Sequence, residues 1–277
     1  MKRRQSAAGR RAAFGEGPSA WTVLSRRLSP RVWAPPLVAF VALAAGWQLY
    51  ALTNRFVLPT LPEVAGVLAA HPGLFLGNLL VTLQEALVGA ACGMGLGWLG
   101  ALAITRLPLA ERALMPVAVV LNVTPIVAIA PGLVVAFGFG MLPKYIVTAV
   151  IVFFPFLINS IAGLKAVDPA ARDVLTTLHA SRLEIMLRLQ IPGSVPFLLA
   201  GARICLPLSL IGAVVAEFSA AGEAAGLGSL VETAASQSQL PVVYASVFVL
   251  GLLGIGLTLL IIAIGRALSV WYGDVLS

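Results

Sequence analysis

The sequence predicts an all-α membrane protein with six transmembrane helices, and three observations carry that prediction. Of its 277 residues 60% are hydrophobic and 10% charged, whereas about a quarter are charged in soluble domains. Charge-free windows of about 20 residues, the length a bilayer-spanning helix needs, recur along the chain. The formal charge of +7 sits at one end: residues 1–31 hold eight Lys/Arg and one Glu, and the rest hold ten Lys/Arg and ten Asp/Glu. Basicity confined to a tail excludes a nucleic-acid-binding surface spread over a domain.

Residues 1–31 form a basic tail, rich in small polar residues, expected to be mostly disordered with a surface helix around Trp21 to Leu28. Its length, with the apolar run that follows, exceeds a secretory signal, so the first apolar run is read as an uncleaved span. The transmembrane domain covers 32–272. Its spans are expected at about 32–52, 77–104, 113–137, 145–164, 195–215 and 241–264. Six crossings put both termini on one side. The tail, Arg106, Arg112, Lys165, Arg172, Arg182, Arg188 and Arg266 share that side, against Arg55 and Lys144 on the other. The positive-inside rule therefore makes the termini cytoplasmic. Loops 53–76, 137–144 and 216–240 face outward, the last carrying Glu217, Glu223 and Glu232 with no Lys or Arg.

Some patterns mislead. Gly95-Leu-Gly97-Trp-Leu-Gly100 spells a dinucleotide fingerprint, but that motif needs a preceding strand and an exposed helix N-terminus. Inside a lipid-length helix, and with Gly89 and Gly93, it reads as small-residue helix packing. Cys92 and Cys205 lie in apolar runs without metal-type spacing and read as buried small side chains. His71 and His179 are the two histidines, and no HExxH or carboxylate cluster assembles a hydrolase site. The chain has no GxxxxGK[ST] loop, so any ATP belongs to a partner.

Residues 165–192 interrupt the apolar pattern with a helix, a corner and a second helix. Asp168 before Pro169 is an N-cap followed by proline at the first helical position. Val174, Leu175 and Leu178 fall on one face, and Ser181-Arg-Leu-Glu184 is a capping box that starts the second helix, ended by Pro192. Two readings fit: an amphipathic loop lying on the bilayer, or a docking helix for a soluble partner.

The run resembles the cytoplasmic EAA loop of the permease subunits of bacterial ABC importers. Asp173-Val174-Leu175 stands where EAA is expected, and His179-Ala180-Ser181-Arg182 where Gly-Ala-Ser-Arg is common. Ile191-Pro192 to Pro196 matches the Leu-Pro-x-x-x-Pro element, and Ala200-Gly201-Ala202-Arg203 the place of Gly-Leu-Arg. FVLPTLPEV at 56–64, PIVAIAPGLVVAFGFGMLPK at 125–144, Ala216-Glu217 and Gly226-Leu227-Gly228 are similar to segments of the nitrate, sulfonate and taurine branch. TLQEALVGA and FFPFLINSIAGLKAVDP are nearest the subgroup associated with thiamine pyrimidine precursors or riboflavin.

The resemblance implies the type I importer permease fold, in a multi-pass protein of the bacterial inner membrane, and a transport rather than an enzymatic role. It implies two copies of an ATPase subunit that bind ATP and Mg, a second permease subunit completing a homodimeric path, and a periplasmic or lipid-anchored solute-binding protein. Asp173, Val174, Leu175, Leu178, His179, Ala180, Ser181 and Arg182 would couple to the ATPase through the 165–192 loop. Glu217, Glu223 and Glu232 would face the binding protein. Polar residues within spans are costly in lipid and are candidates for the solute path: Gln84, Glu85, Asn122, Thr124, Asn159, Ser160 and Ser209, with Pro125 breaking span three. For any single one of them, bonding helix to helix is the favoured reading. The cargo would be a small solute such as an organic sulfonate, nitrate, or a pyrimidine or vitamin precursor. A secondary transporter should show repeats and intramembrane charges beyond Glu85 and Arg203, and an intramembrane enzyme a cluster of acids or histidines.

Overall fold

A computed structural model describes residues 30–106, 112, 116, 125–219 and 225–272, and divides the chain into two compact units, 1–61 and 62–277. Every element found among the described residues is helical: α1 Pro30–Thr53, α2 Leu61–Ala70, α3 Pro72–Arg106, α4 Ile126–Phe137, α5 Met141–Lys165, α6 Pro169–Thr177, α7 Arg182–Ile185, α8 Ile191–Ser219, α9 Leu227–Ser236 and α10 Leu240–Tyr272. Five helices are long and apolar enough to cross a membrane, beginning with the stretch Ala34–Thr53 of α1. Two shorter apolar helices, α2 and α4, join them.

In the first unit, α1 exposes Leu37, Phe40 and Leu43, which suits a lipid-facing helix. Beyond its end the chain folds back: the Trp47 indole donates to the Pro59 carbonyl at 2.9 Å, and the Leu61 N–H to Gln48 Oε1 at 3.0 Å.

The second unit is a bundle centred on α5, with α3 and α8 packed on it. Close approach is set by missing side chains, as it must be where lipid removes the hydrophobic drive between helices. A Cβ at Gly93 would run into the Ala149 backbone, and one at Gly212 would stand 3.0 Å from Thr148 Cα. Thr148 is thus enclosed between Gly89 of α3 and Gly212 of α8. Gly97 of α3 lies against Phe153, whereas Gly95 faces open space, so the fingerprint letters include both packing and idle glycines. Cys205 is buried, its thiol donating to the Val152 carbonyl at 3.5 Å, but Cys92 is exposed, contrary to the sequence reading.

Spans two, four, five and six fall within α3, α5, α8 and α10. Of span three, the described part is α4, which follows Pro125. Three expectations change. Both long loops contain a helix, α2 and α9, because Val64 and Leu227 are apolar anchors that pack with Phe75, Ala245 and Val249. The 137–144 turn is shorter than expected: Gly138 (φ 79) and Gly140 (φ 155) turn the chain, and Met141 already opens α5. Pro192 does not end a helix. A π-helical turn, Met186–Gln190, joins α7 to α8, and the Ile191 N–H bonds the carbonyl of Met186 five residues back. The widened turn shifts the hydrogen-bond register just where proline brings no donor.

Candidate functional site

Two polar constructions lie toward opposite ends of α8. Glu217 is 26 positions beyond Ile191, roughly 39 Å of helical rise, more than the ~30 Å hydrocarbon thickness. α3 runs alongside in the opposite sense: Thr82, near its start, meets Glu217, and Arg106, at its end, meets Met186.

At the 165–192 end, each helix boundary is made by the residues the sequence singles out. Asp168 Oδ1 accepts from the Ala170 N–H at 3.0 Å, with Pro169 at the first helical position. Ser181 and Glu184 form the reciprocal capping box, at 2.8 and 3.2 Å. Between them the Ala180 N–H reaches back to the Leu175 carbonyl and the His179 N–H to that of Thr176, both at 3.0 Å. That is the bond pattern of a Schellman stop, which places a left-handed residue between the cap and the next helix. The residue is His179, with φ 60. A glycine conformation is therefore kept without glycine, at a cost of about 1 kcal/mol. No residue of α6 is buried; Val174 and Leu178 are 61% and 70% exposed while Leu175 is half-buried. Arg182 is exposed.

At the other end Glu217 is fully buried. The Thr82 hydroxyl donates to its Oε1 at 2.6 Å, and the Gly228 N–H donates to its Oε2. The same Thr82 oxygen accepts from the Leu227 N–H at 2.8 Å, and Asn78 Oδ1 accepts from the Gly226 N–H at 2.7 Å. Three successive backbone donors at the start of α9 are thereby satisfied by side chains of α3 and α8. Gly226 and Gly228 are required by this approach, since a Cβ on either would overlap the carboxylate, and Gly226 adopts φ 139. Beside it, Lys144 and Glu85 form a buried ion pair at 2.8 Å, and the ammonium also reaches the Ala225 carbonyl at 3.4 Å. Residues 225–228 are thus held by a buried acid and a buried base at once.

This placement corrects several expectations. Glu217 does not offer its carboxylate to a surface, because two donors and two glycines enclose it. Glu232 is half-buried, with one carboxylate oxygen enclosed; Glu223 lies outside the described residues. Glu85 is fully buried in this chain, where Lys144 neutralises it inside the bundle. Lys144 in turn is no loop charge. Ser160 and Ser209 are fully buried between helices, Ser209 bonding its own Leu206 carbonyl at 2.7 Å, so one chain's packing encloses both. Asn159 is half-buried and bonds the Pro155 carbonyl at 2.8 Å. Gln84 is exposed, its amide donating to the Tyr145 hydroxyl at 2.9 Å, and Pro125 is exposed. Asn122 and Thr124 lie outside the described residues. The sequence reading missed Asn78, Thr82 and the Glu85–Lys144 pairing. Its available signal was two opposite charges at one membrane depth.

The family model for the inner membrane component of binding-protein-dependent transport systems matches residues 93–271. The chain belongs to this family. The permease is 33% identical over 223 residues to the formylaminopyrimidine transport permease protein ThiX of Halalkalibacterium halodurans, covering 79% of this chain and 88% of that protein. It is 30% identical over 260 residues to the riboflavin transport system permease protein RibX of Chloroflexus aurantiacus, covering 88% and 96%. With the taurine transport system permease protein TauC of Escherichia coli it shares 28% identity over 269 residues, covering 91% and 96%. The permease is accordingly a multi-pass inner-membrane subunit of an ABC importer with the type I permease fold. It is not an enzyme and carries no cofactor of its own; ATP hydrolysis belongs to a separate ATPase subunit, and a solute-binding protein is its other partner.

Proposed function

We propose that the permease couples to its ATPase through Asp173 to Arg182, within a cytoplasmic loop spanning 165–192. The observation that carries this reading is the exposed apolar pair Val174 and Leu178 on a capped helix whose stop is held by His179. A lone amphipathic helix resting on lipid does not require a fixed corner and a second capped helix. Two ATPase copies bind ATP and Mg, both permease termini are cytoplasmic, and a second copy of this chain completes the path in a bundle domain covering 32–272. Among the path candidates we favour Gln84, Asn122, Thr124, Pro125 and Asn159 over Glu85, Ser160 and Ser209, which are buried within one chain. An exposed polar pair such as Gln84 with Tyr145 on lipid-length helices is costly against hydrocarbon and fits a subunit or solvent-facing surface.

The cargo is a small solute delivered by a periplasmic or lipid-anchored binding protein. A pyrimidine or vitamin precursor is favoured over a sulfonate or nitrate, because the relatives at 33% and 30% identity are formylaminopyrimidine and riboflavin transport permeases. The binding protein meets the face that carries α9. Docking is tested by co-expressing the ATPase and measuring its co-purification and solute uptake. Leu178→Asp with Val174→Asp should abolish both while the chain still inserts; unchanged co-purification and uptake would sink the assignment.

A further inference from the structure

A cavity of about 530 Å³ opens between the end of α3 and the α6–α7 corner, and its lining includes Thr105, Arg106, Arg172, Arg182, Met186 and Gln190. Three guanidinium groups, always protonated, share this space, and among the described residues no Asp or Glu lines it. Two acids of the segment are committed elsewhere, Asp168 capping α6 and Glu184 closing the capping box with Ser181, and the third, Asp173, is exposed and outside the cavity lining. Arg106 illustrates the deficit. Its Nε donates to the Met186 thioether at 3.3 Å, a weak acceptor for a charged donor. Like charges gathered without a counter-ion repel, and an oxyanion accepting several guanidinium bonds would offset that repulsion.

Depth in the bilayer narrows the ligand. α3 has 35 residues, roughly 52 Å of rise against ~30 Å of hydrocarbon, so Arg106 at its end reaches the headgroup region. Leu183, on the cavity wall, and Leu187, one turn on, are 51% and 53% exposed, so apolar surface adjoins the arginines. We propose that this cavity binds a phosphate group, presented by an anionic phospholipid headgroup or by a soluble phosphate, at the root of the 165–192 loop. A bound phosphate would tie α3 to α6 and α7, and so set how freely the loop moves against the bundle. The site rests on the placement of this loop at the cytoplasmic end of the bundle, level with the headgroups, and not on ATPase docking itself.

The test is thermal unfolding of the full chain in detergent micelles, titrated separately with dioctanoyl phosphatidylglycerol, dioctanoyl phosphatidylcholine and inorganic phosphate. Phosphatidylglycerol should raise the melting temperature saturably and phosphatidylcholine should not. If inorganic phosphate gives the same rise the source is soluble, and if it gives none the source is lipid. Arg172→Gln with Arg182→Gln should weaken half-saturation roughly tenfold or more, and the paired lysine variant should lie between. Arg188→Gln, outside the cavity lining, should titrate like the wild type. Absence of any shift with phosphatidylglycerol and phosphate, or an unchanged titration in the double glutamine variant, overturns the proposal. If the double variant loses the ATPase while neither anion acts on the wild type, the arginines serve the protein interface and the phosphate site is wrong. Loss of coupling in the Val174 and Leu178 variants with the titration intact separates the two readings.

Discussion

Removing the Glu217 carboxylate tests the clamp on residues 225–228 directly. In Glu217→Ala the Thr82 hydroxyl can turn wholly onto the Asn78 carbonyl, already 3.2 Å away, so it keeps a partner. The Gly228 N–H has no such recourse, and a buried orphaned donor costs about 1–3 kcal/mol. One side-chain methylene loses its packing at about 0.8 kcal/mol. The sum is about 2–4 kcal/mol, enough to lower the melting temperature by roughly 10 °C. Thr82→Val removes the donor to Glu217 and the acceptor for Leu227 together, so the two substitutions strike one network. A double-mutant cycle, read by equilibrium unfolding of the four full-length chains in micelles, should give a coupling of about 1–3 kcal/mol. A Glu217→Ala cost below about 1 kcal/mol, or additivity within about 0.5 kcal/mol, would refute the clamp.

The remaining predictions follow from the same geometry. Glu85→Leu strands a buried ammonium and should cost about 3–5 kcal/mol, whereas Glu85→Leu with Lys144→Met should recover most of that; a double variant as unstable as the single one would contradict a pair whose main role is to neutralise its own charges. Gly228→Ala drives a methyl into the Glu217 carboxylate and should destabilise by more than about 2 kcal/mol, while Gly95→Ala, facing open space, should be neutral or slightly stabilising; equal effects in a melting experiment would defeat the argument. His179→Gly should relieve about 1 kcal/mol of left-handed strain and slow hydrogen exchange at the Ala180 amide roughly fivefold, and faster exchange there would show that histidine holds the corner by other means.

The fold was legible wherever one physical cause dominates. A charge-free run of membrane length has few alternatives to a helix, and the described spans lie where composition places them. Capping is equally local, so Asp168-Pro169 and Ser181 to Glu184 could be read letter by letter. The buried site was not legible, because its partners lie far apart: Thr82 and Glu217 are 135 positions apart, Asn78 and Gly226 148. Position in a loop argued for exposure of Glu217, and nothing local reports that two glycines leave room for its carboxylate. Glu85 shows the complementary limit, since a lone acid in a span looks like a pathway residue until its base is seen beside it. Pro192 misled for a third reason. Proline reads as a helix stop, but one wide turn shifts the register and lets the helix continue.

That continuation has a mechanical consequence for the proposed coupling. α7, the π turn and α8 form one uninterrupted helical path from Arg182 to Ser219, with the docking corner at one end and Glu217 near the other. Displacement of the corner need not pass through a loop before it reaches the bundle. It can bend the path at the π turn or at Pro196 and Pro207, where backbone bonds are missing. Bending below Glu217 would tilt a carboxylate whose two oxygens hold Thr82 and the Gly228 amide, and the far turn would move with it. A stiffened path is the test: Pro196→Ala with Pro207→Ala restores two backbone donors and leaves both ends untouched. It should lower uptake per ATP hydrolysed while the ATPase still co-purifies, and unaltered transport stoichiometry would mean that movement reaches the 225–228 turn by another route.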